Sequence, residues 1–210
     1  MAVITISRQF GAGGLTLGQE IADQLGFTFV NDEIISMISK KARVSQGWVQ
    51  SVEKEAGNKI QRLISSVIPR GLVGRILDDQ QGYIDEEIYL DLLEQIIRQI
   101  ASDDNCVILG RGGQYILKNE KNVLHILLIA DKEDRISFME NNYKLNRQQA
   151  TQVVIAEDKR RTALYRKLHQ SDYDNPEHYH LTLNMSRLTL DVACAMICQM
   201  LRSGHLLNPS

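Results

Sequence analysis

Residues 4–27 read ITISRQFGAGGLTLGQEIADQLGF, which places a run rich in β-branched residues, a glycine-rich turn and a helical pattern in immediate succession. The β-branched residues at the start predict a short buried strand from Val3 to Ser7. Apolar residues then recur at helical spacing and predict a helix from Leu15 to Leu25, which Gly26 would end. A strand that leads through glycines into a helix is the context in which a phosphate-binding loop is expected.

The glycine-rich turn is predicted to bind phosphate through its backbone. Glycines allow the main chain to approach an anion closely, and the N-terminus of the following helix adds partial positive charge. Residues 11–16 read GAGGLT, so the third glycine of the dinucleotide fingerprint GxGxxG is missing. A turn without a ligand remains the alternative. The residues predicted to hold nucleotide phosphates are Gly11, Ala12, Gly13, Gly14, Leu15 and Thr16.

The turn departs from the standard P-loop pattern GxxxxGK[ST] at three positions. Arg8 stands at the first glycine, Gly14 at the lysine and Leu15 at the magnesium-binding hydroxyl, with Thr16 one residue later. Phosphoryl transfer is catalysed mainly by positioning and by cancelling charge, so a loop without its lysine needs another cation. Arg8 is the nearest one, and we predict that it is catalytic.

The rest of the chain predicts an α/β fold with a parallel five-stranded sheet flanked by helices. The predicted strands after the first are 27–30, 106–109, 124–130 and 179–184, and the main predicted helices are 33–41, 45–66, 86–101, 131–142, 146–169 and 188–203. We expect a single domain of 210 residues, with a helical, acceptor-binding insertion at about 31–101 and a charged helical lid at about 143–170.

Composition limits the function classes. A net charge of −2 does not indicate a polyanion binder, so no nucleic acid polymer is expected as a partner. The three cysteines are predicted to be buried free thiols, and no metal-ligating cluster is expected from the histidine and cysteine spacing. With no signal peptide pattern and no apolar run of ~18–20 residues, a cytoplasmic protein without a membrane span is expected.

Five segments together resemble the cytidylate kinase-like family. The opening ISRQFGAGG matches the family's ISR-x-x-G-(S/A)-GG loop, and the others are CVILGRGG at 106–113, IADKEDR at 129–135, EDKRR at 157–161 and YHLTLNMS at 179–186. They occur in the family's order and extend the resemblance over most of the chain.

The resemblance implies a P-loop kinase fold, ATP and Mg²⁺ as cofactors, and site residues beyond the loop. Arg111 would contact the acceptor phosphate, although a surface arginine that caps a carbonyl is the alternative. Asp158 and Arg161 match the D-x-x-R core of the lid, where Arg161 would be catalytic and Arg160 a weaker candidate. A solvated charged helix with an ion pair between Glu157 and Arg161 is the other interpretation.

Asp32 follows the second predicted strand at the same edge of the sheet. It is predicted either to bind the acceptor or to cap the next helix, and the two roles are compatible.

Three functions stay open at this point. The first is transfer of the ATP γ-phosphoryl group to a nucleoside monophosphate, most simply CMP or dCMP. The second is a nucleotide-binding regulatory module with weak turnover, and the third is a kinase of the same fold for another small acceptor. A homodimer through the helical insertion is possible.

Overall fold

The computed structural model describes residues 2–31, 86–103, 105–168 and 172–202. Asp32 and the predicted helices 33–41 and 45–66 lie outside the described residues. The chain divides into two compact units, residues 1–30 with 104–210 and residues 31–103. The predicted helical insertion falls in the second unit.

The first unit contains a five-stranded sheet in which every strand pairs in parallel with its neighbours. Its strands are β1 (Val3–Arg8), β2 (Thr28–Val30), β3 (Cys106–Leu109), β4 (Val123–Ile129) and β5 (Leu181–Asn184). Their order across the sheet is β2-β3-β1-β4-β5. The predicted α/β fold with a parallel sheet is thereby confirmed.

The described helices agree closely with the predicted ones. They are α1 (Gly14–Leu25), α2 (Glu86–Asp103), α3 (Gly113–Ile116), α4 (Lys132–Tyr143), α5 (Arg147–Lys167) and α6 (Leu190–Arg202). Helix α2 belongs to the second unit and the others to the first. The sequence did not predict α3 or the 3₁₀ turn Pro176–His178, because three or four residues are too few to show a period. That turn also moves the start of β5 from the predicted residue 179 to Leu181.

One face of the sheet carries the main apolar core. Ile4 and Ile6 of β1 point to this face, where they pack with buried side chains of α1 and α6. Cys194 and Cys198 belong to this core, and these two and Cys106 are buried thiols outside any disulfide, as predicted. Successive residues of a strand alternate between faces, so Thr5 and Ser7 point the other way.

The opposite face of β1 is polar in its interior. Thr5 and Ser7 are both about 1% exposed, and His125 of β4, which pairs with Thr5, is 4% exposed. Short helix α3 lies beside Thr5, and Tyr165 of α5 contacts Ser7. Buried hydroxyl and imidazole groups need hydrogen-bond partners. Tyr165 of α5 supplies one to Ser7, and Thr5 and His125 lie within hydrogen-bonding distance of each other.

Strand β1 lies in the centre of the sheet, where the direction of the chain connections changes. The chain passes from β1 out to β2 and back to β3, and then crosses to β4 on the other side of β1. In open parallel sheets, ligands bind outside the carboxyl ends of the strands at such a switch point. Arg8 and the glycine-rich loop lie at this edge.

Candidate phosphate-binding site

The loop between β1 and α1 folds back on itself and is fixed to the end of β4. The Gln9 N–H group donates to the Leu128 carbonyl (3.0 Å), and the Ala12 N–H group donates to the Gln9 carbonyl (3.1 Å). The Gln9 side chain accepts a hydrogen bond from the Ala130 N–H group at 3.1 Å. Gly11 (φ 87°) and Gly13 (φ 78°) occupy the left-handed region that this fold of the chain requires.

Helix α1 begins at this loop with an uncapped N-terminus. Gly13 is the N-cap residue, no side chain accepts a hydrogen bond there, and the first turn contains no acidic residue. The first N–H groups of a helix have no acceptor within the helix. Together with the helix dipole they favour an anion at this position.

Arg8 lies against the position at which a standard P-loop has its lysine. A Cβ atom added to Gly14 would lie 3.0 Å from Arg8 Cγ and 3.3 Å from Arg8 Cβ. The stem of the Arg8 side chain therefore fills the space that a larger residue at position 14 would need. The absence of a side chain at Gly14 therefore makes room for the long cationic side chain of Arg8.

Arg111 follows β3 at the same edge, in an unusual backbone conformation. Gly110 (φ 79°), Arg111 (φ 56°) and Gly112 (φ 73°) are consecutive left-handed residues. The Gly110 N–H group donates to the Ile6 carbonyl (2.8 Å), which fixes this turn beside β1. A non-glycine residue in this region costs roughly 1–2 kcal/mol, and at functional sites such strain is maintained by the surrounding structure.

Arg161 of α5 is fixed at the carboxyl end of β1. Its Nη2 atom donates to Ser7 Oγ (3.0 Å) and to Asp174 Oδ1 (2.5 Å), and its Nη1 atom donates to Asp174 Oδ2 (3.1 Å). Its guanidinium carbon lies 5.0 Å and 4.8 Å from the ring centroids of Tyr165 and Tyr173. Burial alone would lower the pKa of Arg161, but the hydrogen bonds to Asp174, together with the charge of Asp174 and the neighbouring tyrosines, outweigh it and raise the pKa, so the side chain stays charged.

The ion pairs of α5 differ from the predicted pair between Glu157 and Arg161. Arg161 pairs with Asp174, while Glu157 contacts Arg160 at 3.5 Å on the exposed side of the helix. The interpretation of α5 as an entirely solvated face is wrong, because Ala150, Val154 and Tyr165 are buried.

Both carboxylate oxygens of Asp158 accept from one nitrogen of Arg135, a residue that the sequence analysis did not single out. Arg135 Nη1 lies 2.9 Å from both Asp158 oxygens and also donates to the Phe10 carbonyl in the loop (3.1 Å). The side chain of Arg135 is 9% exposed, whereas that of Arg160 is 67% exposed. A buried guanidinium is costly unless it is paired, and the acid three residues before Arg161 supplies that pair.

A buried network of hydroxyl groups lies behind Arg161. Ser7 Oγ and the Tyr165 hydroxyl are 2.9 Å apart, and Gln114 Nε2 donates to the hydroxyl groups of Tyr165 and Tyr179 at 3.0 Å each. The Tyr179 hydroxyl donates to the Tyr173 carbonyl (2.7 Å). Burial raises the pKa of Tyr179, so this hydroxyl remains a donor at neutral pH. Only the excess of tyrosines after residue 160 indicated such a network in the sequence.

Two histidines, His125 and His180, form a stacked pair on the polar face of the sheet, where their role is structural. The His125 and His180 ring centroids are 5.2 Å apart. His125 Nδ1 lies 2.7 Å from Thr5 Oγ1, and the backbone N–H group of His125 donates to His180 Nδ1 (2.9 Å). Burial, aided by the neighbouring His180, lowers the pKa of His125 to about 4. Both rings are therefore neutral at physiological pH.

The structure brings most of the predicted site residues to one edge of the sheet. The loop follows β1, Arg111 follows β3, and Arg161 contacts Ser7 near the end of β1. Asp32 lies outside the described residues. Among the residues that the structure describes, no three His, Cys, Asp or Glu side chains are grouped to hold a metal ion, and no helix has the length and apolar character of a bilayer span.

Solved structures similar to this chain share its fold. An uncharacterized protein from Eubacterium ventriosum is 16% identical, with a TM-score of 0.67 over 97% of this chain and 99% of that one. Shikimate kinase from Bacteroides thetaiotaomicron is 12% identical, with a TM-score of 0.50 over 96% of this chain and 98% of that one. At such identities the likeness concerns the fold alone.

Comparison with curated proteins gave no match. The family model described as "Cytidylate kinase-like family" matches residues 3–187, which include the loop, Arg111, Arg135 and Arg161. Together with the fold, this match supports a P-loop kinase that acts on a small molecule. The chain belongs to the cytidylate kinase-like family.

Proposed function

We propose that this protein transfers the γ-phosphoryl group of ATP to a nucleoside monophosphate, with CMP or dCMP as the first acceptors to consider. The observation that carries the proposal is the uncapped N-terminus of α1, which opens beside Arg8 at the carboxyl edge of a parallel sheet. A helix N-terminus in this place attracts a phosphate group. Because the chain belongs to the cytidylate kinase-like family, we take that phosphate to be part of a nucleotide.

The donor phosphates would lie on the loop from Gly11 to Thr16. Backbone N–H groups bind the phosphate oxygens there, and Arg8 supplies charge that Gly14 cannot. A guanidinium offers two parallel donors to a phosphate, whereas a lysine acts as a single point charge. The Arg8 cation therefore stabilises the charge that develops as the γ-phosphoryl group moves.

The acceptor would bind beside Arg111, with Asp32 as a further candidate contact. The left-handed backbone at Arg111 presents the arginine from the end of β3. An oxygen of the acceptor phosphate attacks the γ-phosphorus, the bond to the β-phosphate oxygen breaks, and ADP leaves. The acceptor phosphate is already an oxyanion at neutral pH, so the reaction needs no general base.

Arg161 would neutralise charge on the transferring group from the α5 side. Its hydrogen bond to Ser7 places it at the end of β1, close to where the loop begins. Asp174 keeps this guanidinium oriented. Its predicted lid partner Arg160 is exposed and contacts Glu157, which makes it the weaker candidate.

Mg²⁺ would be held mainly by the nucleotide. Leu15 has no oxygen to offer and is 45% exposed, while the exposed Thr16 has a hydroxyl on the first turn of α1. Mg²⁺ commonly binds through substrate phosphates with few protein ligands, so these residues fit an ion that enters with ATP. When bound, it would neutralise charge on the phosphates.

The test is ADP formation with ATP, Mg²⁺ and a panel of nucleoside monophosphates, with ATP alone as the background. Acceptor-dependent ADP formation is expected, strongest with CMP or dCMP. Arg111→Ala should weaken acceptor use far more than ATP binding, and equal loss of both would remove Arg111 from the acceptor site.

The matched control for that variant is Arg202→Ala. Arg202 contacts the Gln24 carbonyl at the far end of α1, away from the carboxyl edge of the sheet, and this variant should behave as the wild type.

A nucleotide-binding regulatory module is the second candidate. It is favoured by Leu15, an exposed apolar side chain in the place of the magnesium-binding hydroxyl. Thermal stabilisation by ATP without ADP formation with any acceptor would select the module over the kinase. Turnover with a sugar or another small acceptor instead would select a kinase of the same fold with a different substrate.

A further inference from the structure

We infer that Arg135 is a positioning residue that sets the orientation of the phosphate-binding loop and couples it to α5. The expected effect on ATP binding rests on the proposed function, whereas the effect on the orientation of the loop does not. Arg135 touches the loop twice, through its guanidinium and through its own backbone, and Asp158 fixes the guanidinium from the other side.

The guanidinium contact acts on one particular peptide group. Arg135 Nη1 donates to the Phe10 carbonyl at 3.1 Å. A peptide bond is planar, and in a trans peptide its carbonyl and the next N–H group point in opposite directions. Holding the Phe10 oxygen therefore fixes the direction of the Gly11 N–H group, one of the donors proposed to face the nucleotide phosphates.

The backbone contact explains why this position of the loop is a glycine. A Cβ atom added to Gly11 would lie 2.7 Å from the Arg135 carbonyl oxygen and 3.0 Å from Arg135 Cβ. Gly11 also has a φ of 87°. The first turn of α4 thus lies directly against Gly11, and no side chain fits between them.

Helix α5 completes the arrangement. Both oxygens of Asp158 lie 2.9 Å from Arg135 Nη1, and the Arg135 side chain is only 9% exposed. The Phe10 side chain packs against the apolar cluster that Ile136 and Met139 of α4 form with Ala150 and Val154 of α5. A shift of α5 would therefore displace Phe10 and, with it, the loop.

The chain provides a matched control in Arg147. Arg147, at the start of α5, also joins α4 and α5, through ion pairs with Glu133 and Glu140, but those pairs are exposed and do not touch the loop. Arg135→Met and Arg147→Met each remove one arginine that links the same two helices. Only the first removes a contact to the loop.

The primary measurement is amide hydrogen exchange in the nucleotide-free protein. The Gln9 and Ala12 N–H groups are hydrogen-bonded within the loop region, so their exchange reports loop order. In Arg135→Met these amides should exchange about tenfold or more faster, which corresponds to the loss of a hydrogen bond from a charged group. They should be unchanged in Arg147→Met. Unchanged exchange in Arg135→Met would overturn the inference, whatever the protein binds.

The second measurement is ATP affinity by calorimetry, which separates positioning from general stability. Arg135→Met should bind ATP about 10- to 100-fold more weakly. The double variant Arg135→Met/Asp158→Leu also removes the 37% exposed carboxylate that the single variant leaves without its partner, so it should regain part of the lost melting temperature. Its ATP affinity should stay low, since nothing then holds the Phe10 carbonyl. Recovery of affinity together with stability would show a merely structural role and overturn the inference.

The two proposals fail in different ways. Faster loop exchange in Arg135→Met, combined with a wild type that binds no ATP, would support the positioning role and refute the proposed function. Normal loop exchange in Arg135→Met, combined with kinase activity in the wild type, would do the reverse. Replacement by lysine, which keeps one donor and the charge, should restore part of the lost protection.

Discussion

Replacing Arg8 and Gly14 together by the glycine and lysine of a standard P-loop should preserve function, because the Arg8 side chain occupies the space that a side chain at position 14 would need. A Cβ atom at position 14 would lie 3.0 Å from Arg8 Cγ, so Gly14→Lys alone forces the arginine stem to move. Such overpacking costs about 1–3 kcal/mol. Replacing glycine in a helix gains back up to about 1 kcal/mol. Gly14→Lys should therefore lower the free energy of unfolding by up to about 3 kcal/mol and impair turnover.

The double variant Arg8→Gly/Gly14→Lys removes this conflict and restores the standard pattern. We expect its kcat/KM for ATP to lie within about tenfold of the wild-type value, since a lysine again faces the phosphates. Arg8→Met keeps the packing of the stem but loses the charge. The loss of a charge-assisted hydrogen bond, about 1.5–3 kcal/mol, predicts a kcat/KM reduced about 10- to 100-fold.

The assay is steady-state ADP formation with saturating CMP, accompanied by urea unfolding of each variant. Arg202→Met, remote from the loop, serves as the control for loss of an arginine. Wild-type turnover in Arg8→Met would refute the assignment of Arg8. A double variant no more active than Arg8→Gly alone would refute the idea that the two positions share one space.

Three further predictions concern the stability of the hydroxyl network, the pH dependence of unfolding and the turn at Arg111. Tyr165→Phe removes hydrogen bonds to buried Ser7 and Gln114, so chemical denaturation should show a loss of about 1–3 kcal/mol, and an unchanged midpoint would count against the network. Because the pKa of His125 falls to about 4 on folding, its contribution is present above the unfolded pKa and is lost as pH decreases. The free energy of unfolding should therefore fall by roughly 3 kcal/mol between about pH 6.5 and 4, and His125→Gln should flatten this slope. Arg111→Gly relieves the left-handed strain and should stabilise the protein by about 1 kcal/mol while acceptor KM rises; a melting temperature that falls would contradict this reading of the backbone.

The fold was predictable from the sequence because its signals are local and repeated. The strand at Leu124 is an almost entirely apolar run, which is typical of strands covered on both faces, and the strand at Ile4 is rich in β-branched residues. Helix α1 has a clear apolar stripe ended by Gly26. The family resemblance added the order of the segments. The short elements α3 and Pro176–His178 escaped because a single turn has no period to detect.

The site was predictable only in part, since its contacts join residues far apart in the chain. Arg161 was singled out, but its partners Ser7 and Asp174 were not, because hydrogen bonds across 154 and 13 residues leave no pattern in the sequence. Helix α5 looked solvated for a related reason. It uses charged pairs such as Asp158 with Arg135 where other helices use apolar contacts, so its apolar stripe is weak.

The most direct test of the phosphate-binding loop is transfer of a labelled γ-phosphoryl group from ATP to CMP, followed in the wild type and in Arg8→Met. The account predicts labelled CDP in the wild type, with the label on the β-phosphate, and about 10- to 100-fold slower formation in the variant. Label that stays on ATP or appears only as inorganic phosphate, with no labelled product from any nucleoside monophosphate, would contradict the proposed function.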